Sequence, residues 1–277
     1  MKRFTLLLLG LVLALGWAGW LGAIRDPVVV RYRVELAGLE RPLRIVHLSD
    51  LHGSNWDMPA VRLARIVDQA NALQPDLVVM TGDFHASKIW DPPMRMDDAL
   101  RPLARLRAPL GVWSVPGNHD EPYWIRWVMR RFGLKLLAGD LVDVGPVQII
   151  GSDDLILGRQ PVRGVWAAAA RAVPGKPLIV LVHEPRLWPL LPPGAGLMFA
   201  GHTHGGQISL FGWPPIDPFY DRYRRGLFRN GNGQQMVVSA GIGTSVIPMR
   251  LGVAPEIVMV ELQPARQPPG RKSGTDR

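Results

Sequence analysis

Apolar and polar positions along the chain change period several times, and each change predicts an element. After Met1-Lys2-Arg3 comes an uncharged run, Phe4 to Ile24, of 21 residues. About 20 residues of helix cross a hydrocarbon layer, so this run is long enough to span one. From Arg25 onward shorter runs alternate. Leu43 to Ser49 is apolar and β-leaning, Pro59 to Leu73 has helical spacing, Asp76 to Thr81 reads as a strand, Met96 to Arg107 as a helix and Gly111 to Val115 as a strand. Further strands are expected at Val147 to Gly151, Leu178 to His183, Leu197 to Ala200, Met236 to Ser239 and Ile257 to Leu262. The alternation predicts an α/β domain, 25–262, with a largely parallel sheet in its first half. The strand-rich second half predicts a mixed sheet packed on the first. No internal repeat is present. The tail, 263–277, is polar and rich in proline and glycine, which predicts disorder.

Residues 1–24 read as an uncleaved membrane anchor, a single N-terminal span in a cell inner membrane. Trp17 and Trp20 lie near its far end, where aromatic rings favour the interface. A cleaved signal peptide is the competing reading, but it wants small residues at alternate positions and Leu21-Gly22-Ala23 has a bulky one. Basic residues flank the run on both sides (Lys2 and Arg3; Arg25, Arg31 and Arg33), so the positive-inside pattern leaves the side of the catalytic domain open.

Composition narrows the chemistry. There is no cysteine, which excludes disulfides, a thiolate nucleophile and sulfur-built zinc sites. A net charge of +9 favours acidic partners such as anionic lipid or phosphorylated substrates. The basic residues form no tract, and no basic-and-aromatic stacking strip is present, so no nucleic-acid partner is expected. No protein partner is predicted.

Five of the seven histidines sit in short polar clusters at the ends of apolar strands. The clusters are Ser49-Asp50-Leu51-His52, Thr81-Gly82-Asp83, Gly117-Asn118-His119-Asp120, His183-Glu184, and Gly201-His202-Thr203-His204-Gly205. On an extended chain Asp50 and His52 would point to the same side and could hold one ion together. Open α/β sheets gather ligand sites at the C-terminal ends of their strands. Mixed oxygen and imidazole donors suit Mn, Fe, Zn or Ni better than Mg or Ca.

The order D-x-H, G-D, G-N-H-D, H, G-H-x-H, running from Asp50 to His204, resembles the calcineurin-like metallophosphoesterase superfamily. The segments 151–154, 201–207 and 241–256 resemble its membrane-anchored bacterial branch, which includes enzymes similar to UDP-2,3-diacylglucosamine pyrophosphatases. The resemblance implies a sandwich of two mixed sheets flanked by helices, in four layers α/β/β/α. It also implies hydrolysis of phosphoester or pyrophosphate bonds with two divalent metal ions, Mn first among them. The expected substrate is a phosphorylated small molecule or a lipid-linked one. Asp50, His52 and His204 would hold one ion, Asn118, His183 and His202 the other, and Asp83 would bridge them. A shared carboxylate suits ions about 3.5–4 Å apart, acidifying a bridging water between them. His119 would stabilise transition-state charge and protonate the leaving oxygen, with Asp120 orienting it. Arg250 would contact the phosphate. A non-catalytic metal-binding scaffold is the alternative, disfavoured because Asn118, His119 and Asp120 are all retained.

Other residues have plainer readings. His47 has parity opposite to Asp50 and is expected to be structural, and His85 to be a loop histidine. Asp153 and Asp154 fit a turn or cap, and Trp113, Trp124, Trp127 and Trp188 fit the core. The aromatic, proline-rich stretch 211–223 is either an ordinary loop or a contact for an apolar part of the substrate.

Overall fold

The computed structural model describes residues 2–86, 88–89, 91, 94–156, 160–209, 213–215 and 222–265. It opens with α1 (Lys2–Ile24), a 23-residue helix long and apolar enough to cross a membrane. Its outward run is exposed, and only Gly19 and Ala23 near its end are buried.

Two six-stranded sheets follow. The first has the order β1 (Val28–Leu36), β12 (Glu256–Pro264), β2 (Leu43–Leu48), β3 (Leu77–Thr81), β4 (Val112–Val115), β5 (Lys135–Leu136). Strands β2 to β5 run parallel, as the helix–strand alternation predicts, and only the β12–β2 pair is antiparallel. The second has the order β10 (Gly226–Arg229), β11 (Gln235–Val238), β9 (Ala195–Ala200), β8 (Leu178–Leu181), β7 (Gln148–Gly151), β6 (Asp140–Asp143). Its four inner strands are parallel, and each edge strand is antiparallel to its neighbour.

The sheets face each other across a buried apolar layer. Ile45, Val79, Val115 and Val258 from the first meet Ile149, Ile179, Leu197, Phe199 and Val237 from the second. The outer face of the first sheet is covered by α2 (Ala60–Ala72), α3 (Met96–Leu100), the 3₁₀ turn Arg101–Arg105 and α4 (Pro122–Arg131). The second is covered by α5 (Pro161–Ala169) and the 3₁₀ turn Pro185–Leu190. The result is a four-layer α/β/β/α sandwich of two mixed sheets.

Several elements differ from the sequence reading. The expected helix 96–107 is α3 followed by a tighter 3₁₀ turn containing Pro102, because proline has no backbone N–H to continue the α-helical ladder and its ring crowds the preceding turn. Strand β12 runs two residues past Leu262, since Gln263 and Pro264 pair with Glu35 and Leu36 of β1. Residues 266–277 of the expected tail lie outside the described residues. Trp188 is buried, but Trp124 and Trp127 are 62% and 55% exposed rather than core. Helix α4 turns Ile125, Val128 and Met129 inward and leaves those indoles outside.

Candidate metal centre

Each cluster of polar residues follows a parallel strand: Asp50 and His52 after β2, Asp83 after β3, Asn118 to Asp120 after β4, His183 after β8, His202 and His204 after β9. Parallel strands end at a common edge, and facing sheets bring two such edges together, so loops far apart in sequence meet. The turns are knit by backbone hydrogen bonds. Asp50 N–H donates to Gly82 O (3.1 Å), His52 N–H to Asp83 O (2.9 Å) and Gly201 N–H to His183 O (2.9 Å).

Within this pocket of loops, side chains from the two sheets interleave. Nε2 of His52 and Nε2 of His204 lie 3.1 Å apart. Nδ1 of His202 and Nε2 of His183 lie 3.0 Å apart, and Asn118 Oδ1 is 3.0 Å from the same His183 nitrogen. Asp83 Oδ2 is 3.3 Å from both His52 Nε2 and His183 Nε2, which puts its carboxylate between the two groups. Asp50 Oδ1 is 3.6 Å from His204 Nε2. Two sets of donor atoms each converge to within 4.8 Å: Asp50, His52, Asp83 and His204, and then Asp83, His183 and His202.

These residues fit divalent cations. Donors bonded at about 2.0–2.2 Å to one ion stand roughly 3–3.5 Å from each other, the spacing seen here. The rings are also set from behind: His183 Nδ1 is 2.6 Å from the Thr81 carbonyl, which leaves Nε2 as the free donor. His202 N–H donates to both oxygens of Asp50, at 3.0 and 3.1 Å.

The convergence does not come from strand alternation. Asp50, His52, Asp83, His202 and His204 all have positive φ, between 44° and 69°. Asp and His enter this left-handed region more readily than most residues, yet at a cost of order 1–3 kcal/mol each. The strand ends at Leu48, and a tight turn, not an extended chain, brings Asp50 and His52 to one side. Gly117 is needed for the close approach, because a Cβ there would overlap the Asp83 carboxylate.

The electrostatics follow from burial and crowding. Burial opposes charge on His183, but the Asp83 carboxylate beside it, with Asp50 and the Thr81 carbonyl, carries its pKa up to about 10. Asp83 is buried as well, yet His183 and His52 hold it well below the usual carboxylate range. Burial, reinforced by His183, takes His202 down to about 3. Burial and the neighbouring His52 keep His204 neutral. An ionised Asp83 beside neutral His202 and His204 suits metal ligation, whereas His183, protonated beside Asp83, would release its proton to a cation on binding.

Comparison with known proteins follows the same lines. The calcineurin-like phosphoesterase family matches residues 43–206, which hold every cluster above. The chain belongs to this family. It is a phosphate-ester hydrolase by that membership. A metallophosphoesterase of Bacillus subtilis named YkuE is 32% identical over 79% of the chain and 79% of its own length. A metallophosphoesterase of Helicobacter pylori is 28% identical over 96% of the chain and 72% of its own length. A zebrafish protein named as a transmembrane protein with a metallophosphoesterase domain is 29% identical over 95% of the chain and 63% of its own length.

In this calcineurin-like phosphoesterase the remaining candidates occupy distinct places. His119 is exposed and its ring packs edge-on to His52, with centroids 5.1 Å apart; its backbone N–H donates to Asp83 Oδ1 at 2.9 Å. Asp120 is fully buried, and its carboxylate accepts from the backbone N–H groups of Asp83 (2.8 Å), Phe84 (2.9 Å) and Gly117 (2.9 Å). Burial and the nearby Asp83 push its pKa up to about 7. It ties the second loop to the third, a different position from one orienting the His119 ring. Arg250 lies buried behind His204, with Nη2 donating to the carbonyls of Gly243 (2.6 Å) and Ala240 (2.8 Å) and 3.5 Å from His204 Nδ1. Its guanidinium is thus engaged with backbone rather than open to a substrate.

The plainer residues are placed as follows. His47 is buried, its Nε2 2.8 Å from Thr81 Oγ1. His85 has Nε2 2.6 Å from the Met94 carbonyl and pairs through its backbone with Gly53, so it fastens a loop. Asp153 and Asp154 accept backbone N–H groups one and two residues on, as in a turn. Of the stretch 211–223, Phe211, Phe219 and Tyr220 lie outside the described residues, Trp213 is exposed, and Tyr223 packs on Trp188. Two members of the clusters, given no role from the sequence, also contribute. Ser49 accepts from Thr81 Oγ1 at 2.7 Å beneath the site, and the Thr81 carbonyl sets the His183 ring.

Proposed function

We propose that the chain is a two-metal hydrolase of phosphoester or pyrophosphate bonds acting at a membrane surface, with α1 as its anchor. The observation that carries this is Asp83 Oδ2, 3.3 Å from a histidine of each donor group, where one carboxylate can serve two cations. Asp50, His52 and His204 would hold one ion and Asn118, His183 and His202 the other; the oxygen and imidazole mixture suits Mn, Fe, Zn or Ni, and the family resemblance puts Mn first. Two divalent ions bound there would supply an acidified water and positive charge facing the phosphoryl oxygens.

The chain's own residues do the rest. His119 stands exposed beside the ligand groups and would pass a proton to the leaving oxygen. Asp120 holds the backbone of Asp83 and Gly117, fixing the bridging carboxylate. Arg250 braces the 240–243 turn behind His204. Resemblance to the membrane-anchored bacterial branch suggests a pyrophosphatase of UDP-2,3-diacylglucosamine, for which UMP release from that compound is the direct assay.

Asp83→Asn tests the mechanism. The variant should keep the wild-type far-ultraviolet circular dichroism, bind fewer than two equivalents of Mn²⁺, and lose turnover of an aryl phosphodiester by at least about 10³-fold, the scale on which an electrostatic contribution to a transition state is lost. Unchanged turnover would sink the two-metal reading.

A further inference from the structure

Beside the metal centre is an apolar pocket of about 420 Å³ whose back wall is His202 and His204. Its sides are Ile208, Pro215, Val246 and Ile247. That volume falls in the range of sites that take small molecules, and the chemistry described so far uses none of its apolar wall.

The pocket is built in advance. The Gln207 side chain donates to the carbonyls of Ser245 (3.1 Å) and Ile247 (3.2 Å) and accepts from Ser245 N–H (2.8 Å), tying the metal-bearing loop to the wall. Thr244 donates to the buried Asp57 carboxylate (2.6 Å), which is also ion-paired with Lys88. Val246 is held at φ 62°, a costly conformation for a β-branched residue, and yet is 51% exposed. Ile89 donates its backbone N–H to the Val246 carbonyl and is exposed as well. Val246 therefore offers an exposed apolar side chain to the pocket, on a backbone that packing alone would not favour.

The same loop carries the end of α1. Arg250 N–H donates to Gly19 O at 2.8 Å, Met249 covers Gly19, and Gly22 lies against the Arg250 carbonyl. Resting on the reading of α1 as a membrane anchor and of the site as a phosphoesterase, we propose that this pocket receives the hydrocarbon chain of a membrane-resident phosphoester whose phosphate lies at the metal centre. The pocket's wall and the anchor's seat are one continuous loop, so the chain enters from the bilayer surface without leaving it. An alkyl, acyl or isoprenoid tail is the occupant that this lining recognises.

The reaction itself is hydrolysis: water adds to phosphorus, the bond to the better leaving oxygen breaks, and the chain stays on the phosphate. The test compares 4-nitrophenyl dodecyl phosphate with 4-nitrophenyl methyl phosphate, both releasing 4-nitrophenolate, on full-length Mn²⁺-loaded protein in phospholipid nanodiscs. The variants are Val246→Asn, which the left-handed backbone accepts more readily than valine, and Ile208→Ala. Each methylene buried contributes about fourfold, so the wild-type kcat/KM ratio of dodecyl to methyl ester should exceed about 100. Either variant should lower that ratio about tenfold, and binding of dodecyl phosphonate, read by calorimetry, should weaken in parallel. A ratio near one in the wild type, or a ratio and a binding constant unmoved in both variants, would overturn the pocket's role while leaving the hydrolase intact. Hydrolysis of neither ester would overturn the hydrolase reading, and the pocket's role with it.

Discussion

His47 shows how one buried side chain couples folding to pH. Its ring is enclosed between β2 and the rest of the sandwich, and burial lowers its pKa from 6.5 to about 3. The unfolded chain takes up a proton near pH 6.5 and the folded chain does not until about pH 3. Stability from this group is therefore fully present above pH 6.5 and is lost as pH falls toward 3. At about 1.4 kcal/mol per unit, the loss from this group is roughly 2 kcal/mol by pH 5. In metal-free protein, His47→Gln should shrink the difference in urea-derived stability between pH 7.5 and pH 5 by about that amount. An unchanged pH dependence would mean that the ring is solvated. The strand parity of His47 already separated it from the ligand clusters. Parity failed for Asp50 and His52, because a left-handed turn has no period to read. The residue types were legible there, and the backbone conformation that joins them was not.

At the scale of elements, the strands bearing the clusters were legible because β3 and β8 are buried throughout and β2 and β9 are buried but for Arg44 and Gly196, which leaves short, mostly apolar runs. β1 and β10 were not. Both are edge strands with partly exposed residues, and β1 pairs with β12 from the far end of the chain. α4 was hidden by its own composition, since Tyr123, Trp124 and Trp127 look like core and are exposed. The seat of α1 was hidden as well, because Gly19 and Gly22 read as ordinary members of an apolar run. Gly22 leaves no room for a side chain against the Arg250 carbonyl, and Gly19 lies against the Met249 side chain. Gly22→Leu should lift the end of α1 from the 249–250 loop and free the Arg250 amide from Gly19. Hydrogen exchange at that amide should rise at least tenfold, while core strands such as β3 and β8 keep their protection. Exchange unchanged at Arg250 would mean that the contact contributes nothing to the loop's order.

For the whole molecule, the donor set joins two sheets that pack on each other through a largely apolar layer. Asp50, His52, Asp83 and Asn118 follow strands of the first sheet, and His183, His202 and His204 follow strands of the second. A cation held by Asp50, His52 and His204, or by Asn118, His183 and His202, therefore draws on both sheets at once. Ligand binding to the folded state alone stabilises by about 2.7 kcal/mol at a hundredfold excess over Kd. For a domain of this size each kcal/mol moves Tm by about 2–4 °C. Stripping the protein with EDTA should thus lower Tm by roughly 5–10 °C, and Mn²⁺ should restore it. Because the clamp spans both layers, exchange protection should fall together at the ends of β2, β3, β8 and β9. Loss confined to one sheet would show that the ligands of that sheet hold the ion without the other. Asp83→Asn separates the two contributions: relieved of the charge that holds His183 and His52 together, the metal-free variant should lose less stability than the loss of metal costs the wild type.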